Sequence, residues 1–220
     1  MNSIWIRHGE CTDNVGLPSP ALGLTPLTES GLRQADAFAA SLKEEPGLVV
    51  HSPFARSIQT AAPILKRFPQ ARVEVWDIQE ITILGPRHYV NSSHLDRIIP
   101  AEAYWKRANP GEIESEGAES FLEFVERVRA AVDRIVSLDL DQPAVVISHG
   151  HFMRGVHWLA QREGGALDGA AMGHYTATFR QVHIPPTAAW GLESLPGAGG
   201  YRFYPLEGAM PGQVERGGEA

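Results

Sequence analysis

The run PAVVISHG at residues 143–150 sets the narrowest limits on how this chain can fold. Its centre, Ala144–Ser148, is continuous, β-branched and bounded by proline and glycine, as expected for a strand that is buried on both faces. Similar runs predict three more strands, at Ser3–Ile6, Gly47–His51 and Val73–Trp76. Continuous apolar strands are typical of parallel sheets that helices cover on both sides.

Helical periodicity fills the segments between these runs. Over residues 119–138, apolar side chains recur every three or four positions and so form one buried stripe. The predicted helices are Glu29–Leu42, Phe54–Phe68, Glu119–Leu138 and His151–Gln161. The alternation of strands and helices predicts an α/β fold with an open, mainly parallel sheet. We expect two further strands at Thr178–Ile184 and Tyr201–Tyr204.

Prolines and glycines interrupt this alternation in one place. They predict an irregular insertion over residues 78–114, after the third strand, with one short helix near Ala101–Ala108. With 220 residues and 43% hydrophobic content, the chain can bury one sizeable core. We therefore expect a single domain over residues 1–207 and a flexible tail over 208–220.

Composition argues against several kinds of partner. The formal net charge is −7 and no block of lysine and arginine supplies a basic face, which argues against nucleic-acid binding. No stretch approaches the roughly 20 apolar residues of a membrane helix, and the N-terminus lacks the pattern of a secretory signal. The single cysteine, Cys11, can form neither an internal disulfide nor a cysteine-based metal site. We expect a soluble cytoplasmic protein, and the sequence gives no sign of its oligomeric state.

Polar residues follow three of the predicted strands at the point where each strand ends. Arg7-His8-Gly9 follows the first strand, Ser52 to Arg56 follows the second, and Ser148-His149-Gly150 follows the fourth. The carboxyl ends of parallel strands meet at one edge, and open α/β sheets bind ligands there. We therefore expect two histidines and two arginines to converge at this edge.

Such a combination of side chains suits phosphate chemistry. The planar forks of Arg7 and Arg56 match the oxygens of a phosphate group, and a neutral imidazole is a competent nucleophile toward phosphorus. Gly150 begins a predicted helix, so that an anion can closely approach the positive end of the helix dipole. The histidine spacings match no compact zinc signature, and we expect neither a metal nor another cofactor.

Five motifs along the chain follow the order of one known family. They are RHGE at 7–10, PLTESGLRQA at 26–35, SPFARSIQTA at 52–61, GAESFLEFVERV at 117–128 and VVISHG at 145–150. Together they resemble the histidine phosphatase superfamily, the phosphoglycerate-mutase-like proteins. The resemblance spans about Ile4 to Leu159. It implies a phosphohistidine mechanism in which His8 is transiently phosphorylated while Arg7, Arg56 and His149 bind the phosphoryl oxygens.

Two further assignments rest mainly on the resemblance. Asn14 sits where the family places a phosphate-contacting amide, and Glu80 sits where it places its general acid. A departing alkoxide needs a proton, so we expect burial among neighbouring isoleucines to raise the pKa of Glu80 toward neutral. Other carboxylates are rivals for this role, namely Glu74, Asp77, Glu102 and Glu112.

Two departures from the family pattern surround these residues. Cys11 stands where the family often has threonine, and we interpret it as a packing residue. A redox-sensitive thiol is the alternative, because the arginines of the site would favour a thiolate. The glycine after Glu80 comes one residue later than in many members, which leaves the shape of the local loop open.

Three functions are compatible with these residues. The first is hydrolysis of small phosphorylated metabolites, the second is a phosphoglycerate-type mutase, and the third is a non-catalytic anion-binding module. The segment between Glu80 and His149 supplies few cations to rebind an intermediate, which favours hydrolysis over a mutase. The third function is disfavoured because a nucleophile, two arginines, a second histidine and a candidate acid are all present.

We expect the insertion over residues 78–114 to form the wall of the leaving-group pocket, because it follows Glu80 directly. Loops beside a rigid catalytic edge usually determine specificity. Arg87 and Tyr89 lie nearest to Glu80 in the sequence and are the predicted substrate contacts. Tyr104 and Trp105 are expected mainly to pack the short helix onto the core.

Overall fold

A computed structural model describes residues 2–162, 164–195 and 200–206 of the chain. Its strands are β1 (Ser3–Arg7), β2 (Leu48–His51), β3 (Val73–Val75), β4 (Ala144–Ser148), β5 (Ala189–Leu195) and β6 (Gly200–Pro205). Its α-helices are α1 (Glu29–Ser41), α2 (Ala55–Arg67), α3 (His94–Arg107), α4 (Phe121–Ser137), α5 (Gly150–Ala160) and α6 (Gly169–Gln181). Short 3-10 helices occupy Thr12–Val15 and Pro86–Tyr89.

The six strands form one sheet in the order β3-β2-β4-β1-β5-β6. Strands β1 to β4 pair in parallel, whereas β5 and β6 are antiparallel to their neighbours. In the pairing of β1 with β4, Arg7 lies opposite Ser148. The predicted fold class, an open and mainly parallel α/β sheet, is confirmed. The pairing of β1 with β4 brings the two histidine motifs side by side at the carboxyl edge.

Helices cover both faces of the sheet. Trp5 of β1 packs on one face with Phe124 of α4 and Phe152 of α5, while the adjacent Ile6 packs on the other face with Phe38 of α1 and Val49 of β2. This alternation explains why the central strands are apolar throughout, since each residue meets a core on one side or the other. None of the helices that the structure describes has the length and apolar character needed to cross a bilayer.

The second half of the chain differs from the sequence-based expectation. The predicted strand at Thr178–Ile184 is wrong, because its first residues complete α6. The side chain of Asp168 accepts a hydrogen bond of 2.9 Å from the Ala171 amide and begins that helix. The strand that pairs with β1 on the side away from β4 is β5, which the sequence analysis missed. The predicted tail at 208–220 lies outside the described residues.

The insertion contains a longer helix than expected. Helix α3 begins at His94 rather than near Ala101, because Ser93 and Asp96 form a capping box at its start. Pro100 lies inside the helix. Helix α3 is therefore long enough to reach from the loop after β1 to α6.

Candidate active site

The two histidine motifs meet at the carboxyl edge of the sheet. The His8 amide donates a hydrogen bond of 3.0 Å to the Ser148 carbonyl, which continues the pairing of β1 with β4 by one residue. Both imidazole rings are buried, and their centroids lie 5.0 Å apart. The structure therefore brings His8 and His149 together, as the sequence analysis predicted.

His8 has a defined proton arrangement. Its Nδ1 lies 2.7 Å from the Gly9 carbonyl, which can only accept, so the ring proton sits on Nδ1. Its Nε2 accepts a hydrogen bond of 3.0 Å from Nε of Arg56. Burial, followed by the charges of Arg56 and Arg7, lowers the pKa of His8 well below 6.5. His8 is thus a neutral imidazole whose Nε2 lone pair faces a guanidinium.

His149 lies behind this pair at the start of α5. Its Nε2 lies 2.7 Å from the Ser52 hydroxyl, and its Nδ1 is buried with no hydrogen-bond partner in the described part of the chain. Burial lowers its pKa well below 6.5, and the charge of Arg56 acts in the same direction. If the serine hydroxyl donates to Nε2, the neutral ring carries its proton on Nδ1 and has a donor to offer a ligand.

A third arginine joins the two predicted ones. A Cβ atom built on Gly150 would lie 3.1 Å from Nη1 of Arg154 and 3.6 Å from Nε of Arg7, so both guanidiniums lie over the start of α5. Arg7 donates from Nη1 to the Ile184 carbonyl, whereas its buried Nε lacks a partner among the described residues. Sequence analysis missed Arg154, although it stands four residues after Gly150 on the same helix face.

Glu80 lies near these cations at the start of α5. Its Oε1 accepts a hydrogen bond of 2.9 Å from the His151 amide in the first turn of α5. Burial raises the pKa of Glu80, but the charges of His151 and the arginines outweigh burial and leave this pKa lowered from 4.5. The expectation of a raised pKa is therefore corrected: the positive surroundings of this carboxyl have a larger effect than its apolar neighbours.

One motif holds the residues around Glu80 in place. Arg127 donates to the carbonyls of Asp77 and Gln79 at 2.7 and 3.2 Å and forms an ion pair with Glu119. Glu119 in turn accepts from the Thr82 amide at 2.8 Å. The GAESFLEFVERV motif therefore fixes the chain on both sides of Glu80. This contact explains why the motif accompanies the other four.

The RHGE loop is held in a similar way by the PLTESGLRQA motif. The Glu10 carboxylate accepts from the Thr28 hydroxyl at 2.6 Å, and Thr28 caps α1 by accepting from the Gly31 amide. A Cβ atom on Gly9 would lie 2.6 Å from the Gly31 carbonyl oxygen, and one on Gly31 would clash with the Glu10 carbonyl. Gly9 therefore serves close packing between the loop and α1.

Asn14 and Cys11 lie on the cavity wall beside His8. Oδ1 of Asn14 accepts from the Cys11 amide at 3.0 Å and from its Sγ at 3.2 Å, so the amide nitrogen of Asn14 is left to face a ligand. Burial raises the pKa of Cys11, and the nearby arginines do not offset it. The thiolate alternative is therefore disfavoured, and the packing interpretation fits.

A cavity of about 470 Å³ opens above these groups. The insertion supplies more of its lining than any other segment, through residues between Glu80 and Trp105. Tyr89 lines the cavity, and burial raises the pKa of its hydroxyl to about 12. Arg87 does not line it: its side chain is 72% exposed and pairs with Glu114. The expectation that Arg87 contacts the substrate is thus corrected.

The insertion is tied to the loop after β1. Arg97 of α3 is buried, pairs with Asp13, and lies over the Tyr89 ring at 4.7 Å. Ser19 pairs with Ser92 through a backbone hydrogen bond of 2.8 Å. These contacts close one side of the cavity with two segments that are far apart in the sequence.

Metal-ligating side chains do not cluster in this region. Within the described residues, no group of three or more histidine, cysteine, aspartate or glutamate side chains has the geometry to hold a metal ion. The charged side chains of this lining are four arginines, Glu80 and Asp13, and the imidazoles of His8, His94 and His151 can gain a charge.

Comparison with known proteins places this geometry in a family. Residues 4–188 match the family model of the histidine phosphatase superfamily, branch 1. The chain is similar to the metal-independent phosphoserine phosphatase of Arabidopsis thaliana, with 30% identity over 158 residues that cover 70% of this chain and 66% of the relative. It is also similar to a probable phosphoglycerate mutase of Yersinia pestis, with 27% identity over 66% of this chain and 67% of the relative.

The chain therefore spans about two thirds of the length of these curated relatives. Among solved structures, the α-ribazole phosphatase from Shigella flexneri superimposes with a TM-score of 0.68 over 95% of this chain and 97% of the other. The sequence identity of that pair is 22%, so this likeness concerns the fold alone.

Proposed function

Because the chain belongs to the histidine phosphatase superfamily, we propose that it is a metal-independent phosphomonoesterase that hydrolyses small organic phosphates through a phosphohistidine intermediate. The observation that carries this proposal is the state of His8. It is buried and neutral, its proton is held on Nδ1, and its Nε2 lone pair faces the cavity beside Arg56. A neutral imidazole fixed in this way is ready to attack phosphorus.

The first step forms a bond between Nε2 of His8 and phosphorus as the ester oxygen leaves. Charge spreads over the three equatorial oxygens during this step. Arg7 and Arg56 offer guanidinium donors to these oxygens, and His149 offers a proton on Nδ1 when the Ser52 hydroxyl donates to its Nε2. The donors are held before the reaction by the protein itself, so little reorganisation is needed at the moment of bond breaking.

Glu80 gives a proton to the leaving oxygen. Its lowered pKa means that the carboxyl is ionised before the phosphate enters. The phosphate enters as the monoanion and passes its proton to Glu80. The dianion that results offsets the field of Arg7 and Arg154, which raises the pKa of Glu80 and keeps the proton on the carboxyl until the ester oxygen leaves. After the alcohol departs, the same carboxylate accepts a proton from water, and the hydroxide breaks the bond between phosphorus and Nε2.

Hydrolysis is favoured over mutase activity by the distribution of charge around the cavity. A mutase rebinds an intermediate that carries two phosphate groups, and it therefore needs cations at both ends of its site. In the described lining, Arg97 is already paired with Asp13, and Arg7, Arg56 and Arg154 all lie near His8 or Gly150. The mutase alternative keeps support only from the similarity to the Yersinia relative.

The decisive experiment measures inorganic phosphate release from a panel of phosphomonoesters in the presence of a chelator. We expect turnover unchanged by the chelator, together with a phosphoenzyme that is stable in base and labile in acid. His8→Ala should abolish both signals. His183→Ala is the matched control, because the His183 side chain is exposed and lies outside the cavity lining.

Three results would contradict the proposal. Activity lost in chelator and restored by a divalent cation would overturn the metal-independent mechanism. Near-normal turnover in His8→Ala would remove the assigned nucleophile. Phosphate exchange between two positions of one substrate, without net phosphate release, would favour the mutase.

A further inference from the structure

Three arginines of the cavity form no ion pair within the described residues, and they lie close together. Arg7 and Arg154 both approach Gly150, and Arg56 donates to His8, so all three surround the position of the phosphoryl group. The fourth lining arginine, Arg97, is buried against Asp13. In the described part of the lining, no other arginine or lysine remains to face the rest of the cavity.

Apolar side chains form a second part of the cavity lining. This part, which we call the outer wall, consists of Leu22, Ile83, Ile98, Ala101, Trp105 and Phe179. The imidazole of His151 packs against Phe179 with ring centroids 5.0 Å apart, and His94 lines the cavity one helical turn before Ile98. The ring centroids of Trp105 and Phe179 lie 5.9 Å apart, so two aromatic side chains form a continuous surface. The outer wall combines the loop after β1, the insertion and α6, which together enclose the leaving group of a bound phosphate ester.

From this separation of charge and apolar surface, we infer that the preferred substrate is the phosphate ester of an uncharged alcohol with an apolar body. The inference rests on the proposed function and names its substrate class. An alkyl chain or ring gains by leaving water for the outer wall. A carboxylate on the alcohol would lose its hydration there without a free arginine or lysine to pair with, which is unfavourable.

The size of the cavity agrees with this class. About 470 Å³ lies within the range of small-molecule sites, and it extends well beyond what a phosphate group alone fills. Short acidic metabolites such as phosphoserine and phosphoglycerate would leave the outer wall uncovered. They would also place their carboxylates close to it.

Two substrates of equal length test the inference. We would compare n-hexyl phosphate with 6-(phosphonooxy)hexanoate, which differ only in a terminal methyl group or carboxylate and release alcohols of similar basicity. We expect kcat/KM to be higher for n-hexyl phosphate by about tenfold or more, since the carboxylate is desolvated without a partner. Equal values or the reverse ranking would overturn the inference.

A pair of neighbouring isoleucines on α3 provides matched variants. Ile98 lines the cavity, whereas Ile99 is 80% exposed and does not. Ile98→Lys places a cation in the outer wall and should reduce the preference for n-hexyl phosphate by about tenfold, or invert it. Ile99→Lys adds the same charge to the same helix and should leave the ranking unchanged. A ranking altered equally by both variants would argue against the outer wall as its cause.

The proposed function and this inference can fail separately. Turnover of p-nitrophenyl phosphate with a trapped phosphohistidine, combined with a preference for the carboxylate ester, would overturn the inference alone. Binding of the non-hydrolysable n-hexylphosphonate and 6-phosphonohexanoate by calorimetry decides the ranking without any turnover. Tighter binding of n-hexylphosphonate in an inactive protein would support the inference while the proposed function fails.

Discussion

The Nε–H group of Arg56 donates a hydrogen bond of 3.0 Å to Nε2 of His8. A phosphoryl group in line with Nε2 would accept this donor in place of the imidazole. The same contact therefore marks both the attacking atom and the first cation that meets the phosphate. It also keeps the ring in its reactive tautomer, because the other ring nitrogen is bonded to the Gly9 carbonyl.

Substitution of Glu80 by glutamine should separate two classes of substrate. For alkyl phosphates we expect kcat to fall by about 10²- to 10⁴-fold, since the leaving alkoxide loses its proton donor. For p-nitrophenyl phosphate the loss should be much smaller in the first step, because that leaving group needs little help. Pre-steady-state kinetics with both substrates measures the difference. Glu102→Gln, at an exposed position of α3, is the control, and an equal loss with both substrates would remove Glu80 from the acid role.

We expect kcat/KM to fall toward alkaline pH. His8 is neutral near pH 6 because burial and two arginines lower its pKa, and Glu80 is ionised because its pKa is lowered from 4.5. The proton required by Glu80 therefore arrives with the substrate monoanion, whose second pKa is about 6. We expect kcat/KM to fall about tenfold per pH unit above that value.

Two substrates with different second pKa values check this origin. The falling limb should move with the pKa of the substrate. A limb that stays at one pH for every substrate would instead report an ionising group of the enzyme. On the acid side, activity should persist until the pH falls through the lowered pKa values of His8 and Glu80.

Removal of the Arg154 guanidinium should weaken phosphate binding. Arg154→Ala should lower kcat/KM by about 10- to 100-fold, the range for loss of a hydrogen bond to a charged group. The inhibition constant of inorganic phosphate should rise in the same variant. Arg129→Ala, at an exposed position of α4, should leave both values unchanged. An Arg154→Ala variant with normal phosphate inhibition would place this arginine outside the phosphate site.

Replacing each of two helical glycines with alanine should change the free energy of unfolding in opposite directions. In Gly31→Ala, the added Cβ clashes with the Glu10 carbonyl, and we expect a loss of about 2 kcal/mol or more in the free energy of unfolding. Gly173 in α6 has no atom within 4 Å of an added Cβ, so Gly173→Ala should stabilise the protein by about 0.5–1 kcal/mol. Urea denaturation measures both changes, and destabilisation of similar size in the two variants would contradict the packing account.

The central sheet was predictable because its strands are buried on both faces and carry an unbroken apolar pattern. Strand β5 was not, since AWGLESL mixes alanine, glycine and glutamate in a strand that lies near the edge of the sheet. The false strand at Thr178–Ile184 arose from the β-branched and aromatic residues near the end of α6. Burial of Met172, Tyr175 and Thr178 along one helix face outweighs that local preference.

The residues that are proposed to bind phosphate were predictable where they belong to a recognisable motif, as Arg7, Arg56 and His149 do. Arg154 carries no motif of its own, and its place depends on the direction of α5, which becomes known only with the fold. Burial raises the pKa of Glu80, but the charges of His151 and of three arginines from different segments lower it, so neighbours in the sequence gave the wrong sign. Arg87 follows Glu80 closely in the chain but points away to Glu114.

The order of strands in the sheet has a consequence for folding. Strand β1, which carries Arg7 and is followed by His8, lies between β4 and β5, and both partners come late in the chain. At roughly 5 to 20 residues per second, a ribosome needs about 10 to 40 s after making β1 to make β5. Until β4 and His149 have been made, β1 has neither of its neighbours and the nucleophile has no second histidine beside it; β5, the second neighbour, follows later. The protein should therefore acquire activity only after synthesis has passed its fifth strand, and release of shorter nascent chains should yield no phosphoenzyme.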